Sequence, residues 1–130
     1  MKTSDESVIL LNERYKLAVE SAKIGIWDWD VVKNILVWDN RMYKLYGIRK
    51  KDFAGAYESW QAGVHPDDLA RANEEIQHAL SGEKPFDTMF RVVWKDKSVH
   101  YIKAYGKIIR SETRKPLKMK CNCRLRLRMS

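Results

Sequence analysis

The sequence predicts an α+β fold: a five-stranded antiparallel sheet with short helices over one face and an amphipathic helix flanking it at the N-terminal side. Three observations predict it. Most of residues 86–129 alternate apolar and polar side chains with period two. Two shorter runs of the same kind lie at 26–38, and the stretches before and after them repeat at spacings of three and four. The order is therefore helix, two strands, a helical middle and three strands, and gathering the helices on one side of an antiparallel sheet buries every apolar face.

Each element follows from its residues. Thr3 and Glu6 fit a capping box at the start of the first helix. Val8, Leu11, Tyr15, Ala18 and Ala22 then fall on one stripe of a helix ending near Lys23, so that residues 1–23 form an amphipathic flank to a domain at 24–130. The stripe needs a cover, either its own domain or a second copy. In the hairpin that follows, Trp27, Trp29 and Val31 share one face, Asp28 and Asp30 the other, Lys33-Asn34 makes the turn, and Ile35–Trp38 returns. Asp39 or Asn40 caps a short helix that Gly47 ends. Residues 48–63 read as turns and one-turn helices anchored by Phe53, Tyr57 and Trp60. His65-Pro66-Asp67-Asp68 opens a longer helix, with Pro at its first position and acids at its positive end, and Ser81-Gly82 closes it. Phe86–Trp94 and Val99–Arg110 are strands joined by a turn at 95–98, and 117–129 is a last strand with Cys121 and Cys123 on its apolar side.

Composition narrows the function. The 130 residues, 45% apolar with five Trp and six Tyr, suffice for one core. No apolar run nears the roughly 20 residues of a membrane span. The start, MKTSDESVILLNERY, has no signal-peptide apolar region, so the expectation is a cytoplasmic chain with two reduced, buried thiols. The net charge of +8 is uneven: residues 1–90 hold 12 basic and 15 acidic side chains, residues 91–130 hold 13 and 2. A basic final third attracts anions. The basic face of the last strand has no interleaved aromatics, so nucleic acid is not expected as a partner. No phosphate-binding glycine loop, catalytic triad or metal-spaced His/Cys/Asp set occurs, which argues against an enzyme and a metal site. Asp28 and Asp30 lack a nucleophile or metal partner and read as structural residues of the hairpin.

The runs GIWDWDV (25–31), VWDNRMYKLYG (37–47), HPDD (65–68), FRVVW (90–94) and SVHYIKAYGKIIR (98–110) together resemble the PAS family, in the variety with a PAC-type second half. The resemblance spans about residues 14–120. It implies a sheet cradling a pocket beneath short helices, and an input module of a bacterial signalling protein that senses small ligands or cofactors. A sensor histidine kinase is the expected parent, with a diguanylate cyclase as alternative, and an effector domain downstream in the same polypeptide. A homodimer through Val8, Leu11, Tyr15 and Ala18 of the flanking helix is also implied. The chain departs from the family pattern at Lys97 and Arg114, where turns usually carry Gly, at Met89, which replaces an acid, and at CRLRLRMS, which replaces the usual junction to the output helix.

The pocket candidates, on the sheet face toward the middle helices, are Trp29, Tyr43, Tyr46, Trp60, Phe90, Val92, Ile102 and Ala104. Apolar and aromatic walls suit an unidentified small organic ligand. The same residues would also make the core of a domain that binds nothing and serves dimerisation or protein interaction, with Met89, Val93 and Tyr101 on the outer face. No cofactor is predicted. His78 occupies the helix on which some relatives bind haem, but no partner motif accompanies it. Asn122-Cys123-Arg124 resembles the flavin-adduct motif of other relatives but lies on the last strand rather than a middle helix.

Overall fold

The computed structural model describes the backbone of residues 2–126 and the side chains of residues 6–126. Helix α1 runs Lys2–Ala22, strand β1 Gly25–Asp30, β2 Ile35–Trp38, helix α2 Asn40–Tyr46, a 3₁₀ turn Lys50–Asp52, α3 Tyr57–Gly63, α4 Pro66–Ser81, β3 Phe86–Val93, β4 Val99–Arg110 and β5 Pro116–Leu125. All five strands are antiparallel in the order β2-β1-β5-β4-β3. The α+β architecture is the one predicted. Thr3 lies inside α1 rather than at its cap, and its side chain is outside the described residues. The last strand ends at Leu125, and Leu127, Arg128 and Met129 of the predicted alternation lie outside the described residues.

Local chemistry sets the elements. Asn34, at φ 55°, makes the left-handed turn between β1 and β2. The Asp39 carboxylate accepts from the Met42 N–H (2.9 Å), capping α2, and from the Ile26 N–H (3.0 Å), tying that cap to β1. Gly47 ends α2 at φ 64°, where a Cβ would stand 2.5 Å from the Trp94 ring, so both conformation and space demand glycine. His65 caps α4, its Nδ1 accepting from the Asp67 N–H at 3.0 Å. This is the physical content of the HPDD run: cap, proline at the first helical position, then acids in the first turn.

The core lies between the inner sheet face and α2–α4. Trp27, Trp29, Leu36, Trp38, Phe86, Phe90, Val92, Ile102, Ala104, Met119, Cys121 and Cys123 supply the sheet side. Met42, Leu45, Tyr46, Trp60, Ala72, Ile76 and Ala79 supply the helices. Burying one such large apolar side chain stabilises by about 1.5–3 kcal/mol. Helix α4 is also held to β3 by charge. Asp68 accepts from the Arg91 backbone N–H (2.8 Å), Nε (3.0 Å) and Nη2 (2.8 Å). Arg71 donates to Thr88 Oγ1 (3.1 Å) and to the Met89 carbonyl (2.8 Å).

Helix α1 takes no part in this core. Val8, Leu11 and Tyr15 are 55%, 66% and 55% exposed, and Ala18 is exposed too. Of the two covers the sequence left open, its own domain is therefore not the one used in this structure. The helix leaves β1 through Lys23, a left-handed residue (φ 56°) with hydrogen bonds from Lys23 N–H to the Glu20 carbonyl (3.2 Å) and from Ile24 N–H to the Val19 carbonyl (3.0 Å).

Candidate functional site

The inner face gathers an aromatic box. Strands supply Trp29, Trp38 and Phe90, α2 supplies Tyr43 and Tyr46, and the middle segment supplies Phe53, Tyr57 and Trp60. Trp29 stacks on Tyr57 (centroids 4.8 Å), Trp38 on Phe53 (4.1 Å), and Trp60 meets Phe90 edge-on (5.7 Å). Offset and edge-on contacts of this kind add about 0.5–1.5 kcal/mol each to the burial.

A few polar atoms fix the box. Trp60 Nε1 donates to the Tyr46 hydroxyl at 2.8 Å, joining α3 to α2. Asn34 Oδ1 accepts from Trp29 Nε1 (3.0 Å) and from the Tyr57 N–H (3.1 Å), joining the hairpin turn to α3. Tyr57 and Gln61 both donate to Asn73 on α4. Trp94 Nε1 donates to the Leu45 carbonyl at 2.9 Å, fastening the end of α2 to the residue that follows β3. Burial pushes the Tyr46 phenol well above its usual range, with Cys123 adding to it, and pushes Tyr57 up to about 12. Burial also raises the Cys121 thiol, whose Sγ lies 3.8 Å from that of Cys123. These groups stay protonated at neutral pH, so the box is uncharged.

The structure brings the eight pocket candidates together. Seven of them, Trp29, Tyr46, Trp60, Phe90, Val92, Ile102 and Ala104, are buried, and Tyr43 packs against them half-buried. They meet as packed core. Beside them, an open cleft of about 670 Å³ runs between α2, α3 and the β3–β4 turn, lined among others by Trp38, Tyr46, Phe53, Glu58, Trp94 and Lys97. Tyr46 belongs to both the core and the cleft wall. Residue reasoning missed Asn34 and Asn73 as the polar pins of the box and Trp38 and Trp94 as cleft walls. The tryptophans were legible as inward-facing strand residues. Asn34 was legible as the hairpin turn, but its bond from Tyr57, and that of Asn73 from the same residue, gave no signal, because these partners lie 23 and 16 residues away.

Other singled-out residues fall elsewhere. Asp28 is exposed and lies 3.7 Å from Lys120 of the neighbouring strand β5, while Asp30 accepts from the Lys33 N–H in the hairpin turn. His78 sits on the surface of α4, 3.8 Å from both Glu74 and Glu83. Among the described residues no three His, Cys, Asp or Glu side chains are grouped to hold a metal, and no helix is long and apolar enough to cross a membrane. Met89 and Tyr101 are exposed and Val93 half-buried on the outer face.

Comparison with known proteins agrees with this architecture. The family model described as the PAS fold matches residues 35–123. The chain is 32% identical over 112 residues to Probable diguanylate cyclase DgcE of Escherichia coli K12, covering 86% of this chain and 10% of that protein. It is 28% identical over 100 residues to Sensor protein FixL of Bradyrhizobium diazoefficiens, covering 77% of this chain and 20% of that protein. The chain thus spans a tenth to a fifth of these relatives. Among solved structures, a sensory box histidine kinase/response regulator from Burkholderia thailandensis superposes with a TM-score of 0.74 at 22% identity, over 86% of this chain and 83% of that one.

Proposed function

This chain belongs to the PAS family, and from that premise we propose that it is the sensing input module of a longer signalling protein, passing the binding of a ligand or partner to an output module in the same polypeptide. The observation that carries the reading is the match of the family model to residues 35–123, most of the sheet and all of its roof. The proposed parent is a sensor histidine kinase. The 32% identity to a diguanylate cyclase favours that class as the second reading.

The geometry supplies a route for the signal. A small apolar ligand entering between α2, α3 and the β3–β4 turn would press on Tyr46 and Trp38. Tyr46 touches Trp60 through its hydroxyl, and Trp38 lies opposite Trp27 on β1. Strand β1 leads through Lys23 into α1 and is hydrogen-bonded along its length to β5. A displacement at the cleft therefore reaches both ways out of the sheet. The proposal includes no haem or flavin: His78 stands between two carboxylates on the surface of α4, and both cysteines lie on β5. It also includes a homodimer through the exposed seam Val8, Leu11, Tyr15 and Ala18.

The test replaces Gly63 by Leu in the full-length protein. Gly63 lines the cleft, and even one added carbon there would stand 2.9 Å from the Tyr46 ring. Output activity fixed at one level, with the cognate ligand no longer shifting the melting temperature, is the expected result. Unchanged regulation, or unchanged regulation after deletion of residues 24–126, defeats the reading. An absorbance spectrum of the purified protein checks the cofactor expectation, since haem or flavin absorbs in the visible range.

A further inference from the structure

The outer sheet face carries a track of positive charge. Lys103 and Lys107 on β4, and Lys118, Lys120 and Arg124 on β5, all point there. The register sets Lys107 directly opposite Lys120 and Lys103 opposite Arg124. Like charges so placed destabilise a sheet, so the fold itself gains nothing from them. Among the described residues Lys107, Lys118 and Arg124 have no ion pair.

Aromatic rings stand within the track. Tyr101 and Tyr105, 42% and 40% exposed, alternate with Lys103 and Lys107 along β4. Tyr105 lies opposite Asn122, which puts Lys120 and Arg124 on its two diagonals. Strand β5 read alone offers cations without aromatics, which argues against nucleic acid; its pairing with β4 supplies the rings.

The track also has edges. On β1, Asp28 lies opposite Lys120, and on β3, Asp87 lies opposite Tyr105. These acids reach inward to Lys120 (3.7 Å) and Lys103 (2.7 Å). Two strands wide, the track is about 10 Å across, and from Lys118 to Arg124 it is about 20 Å long. A broad anionic surface such as a lipid bilayer, laid on this face, would set its phosphates on the acids as well as on the cations. A single line of phosphates would not. An acidic peptide would satisfy the cations but leave the tyrosines with nothing to stack on. We infer that the β4–β5 track binds single-stranded nucleic acid, its cations along the phosphates and Tyr101 and Tyr105 against the bases. Every base has a face to stack, so the binding is tolerant of sequence. This activity goes beyond the sensing role and does not depend on a dimer.

The test is fluorescence anisotropy of a labelled oligothymidylate of about 15 nucleotides titrated with the full chain. Binding at about 50 mM salt should weaken as salt rises, with a log–log slope of about −2 to −3.5, as three to five neutralised phosphates require. Lys107→Gln with Arg124→Gln should reduce the size of that slope by about 1.4. Both changes relieve like-charge pairs, so the variant should fold, and circular dichroism checks that. Lys107→Gln alone, with a reduction of about 0.7, repeats the test if the double variant does not fold. Tyr105→Leu should weaken binding at least roughly fivefold with the slope unchanged, while Tyr105→Phe should bind like wild type. No binding at low salt overturns the inference, as does a slope that the cation variants leave unchanged. A Tyr105→Leu variant that binds like wild type overturns it too, because charge attraction alone then accounts for the binding. Polyglutamate or phosphatidylserine vesicles bound as tightly as the oligonucleotide would assign the face to an acidic chain or a lipid surface, with the same consequence.

Discussion

Replacing Asp68 by Asn should cost the domain about 2–3 kcal/mol, because it discharges the residue that clamps α4 to β3. The Asp68 side chain is only 12% exposed and its two oxygens take three hydrogen bonds from Arg91. Hydrogen bonds to charged groups contribute roughly 1.5–3 kcal/mol each in isolation, and three that share one partner do not add. Asn preserves shape and one acceptor oxygen but leaves the Arg91 guanidinium facing an amide. For a chain of this size the melting temperature should fall by roughly 8–15 °C. The pH dependence carries the sign. Hydrogen bonds from the Arg91 side chain hold the Asp68 carboxyl down to about 2, so its contribution is fully present above the unfolded value near 4 and is lost as pH falls toward 2. Urea titrations at pH 7, 4, 3 and 2 should show wild type losing its advantage over Asp68→Asn across that window. A double-mutant cycle with Arg91→Met should give a coupling above about 1 kcal/mol at pH 7. A variant within about 0.5 kcal/mol of wild type at neutral pH, or a difference that does not shrink in acid, refutes the reasoning.

Three further outcomes are expected. Lys97→Gly and Arg114→Gly, at φ 74° and 67°, should each stabilise by up to about 1 kcal/mol in urea unfolding, since only glycine adopts that conformation without strain. Tyr46→Phe should cost about 1–3 kcal/mol by leaving the buried Trp60 N–H unpaired, and adding Trp60→Phe should cost less than the sum of the two single changes. The thiols of Cys121 and Cys123 should resist alkylation at pH 8 until the protein is denatured, because both are buried and burial raises the Cys121 thiol.

Strands and caps were legible because their causes are local. A period-two run fixes which side chains face the core whatever the partner strand, and Asp39, Gly47, Pro66 and Gly82 act within a turn of their own position. The two turns where the chain departs from the family's glycines proved to be left-handed residues, so even that irregularity could be read. Pairing was not legible. Nothing within β5 announces that β1 is its second neighbour; its own basic face carries no aromatics, as read, and β4 sets Tyr105 opposite Asn122 beside it. The polar pins of the box were hidden likewise, because a single asparagine has no periodicity. The cover of α1 is the remaining case, where a stripe states that a partner is required but not which one.

The pairing of β1 with β5 has a mechanical consequence. Gly25 lies opposite Cys123 and Asp30 opposite Lys118, so α1 enters and β5 leaves at the same end of the same ladder. Tension applied between those two points does not shear the strands past one another, which would load all their hydrogen bonds together. It peels them from Gly25 inward, one pair at a time, at low force. The middle of the sheet is thus stiff to a push from the cleft and compliant to a pull from its two leads.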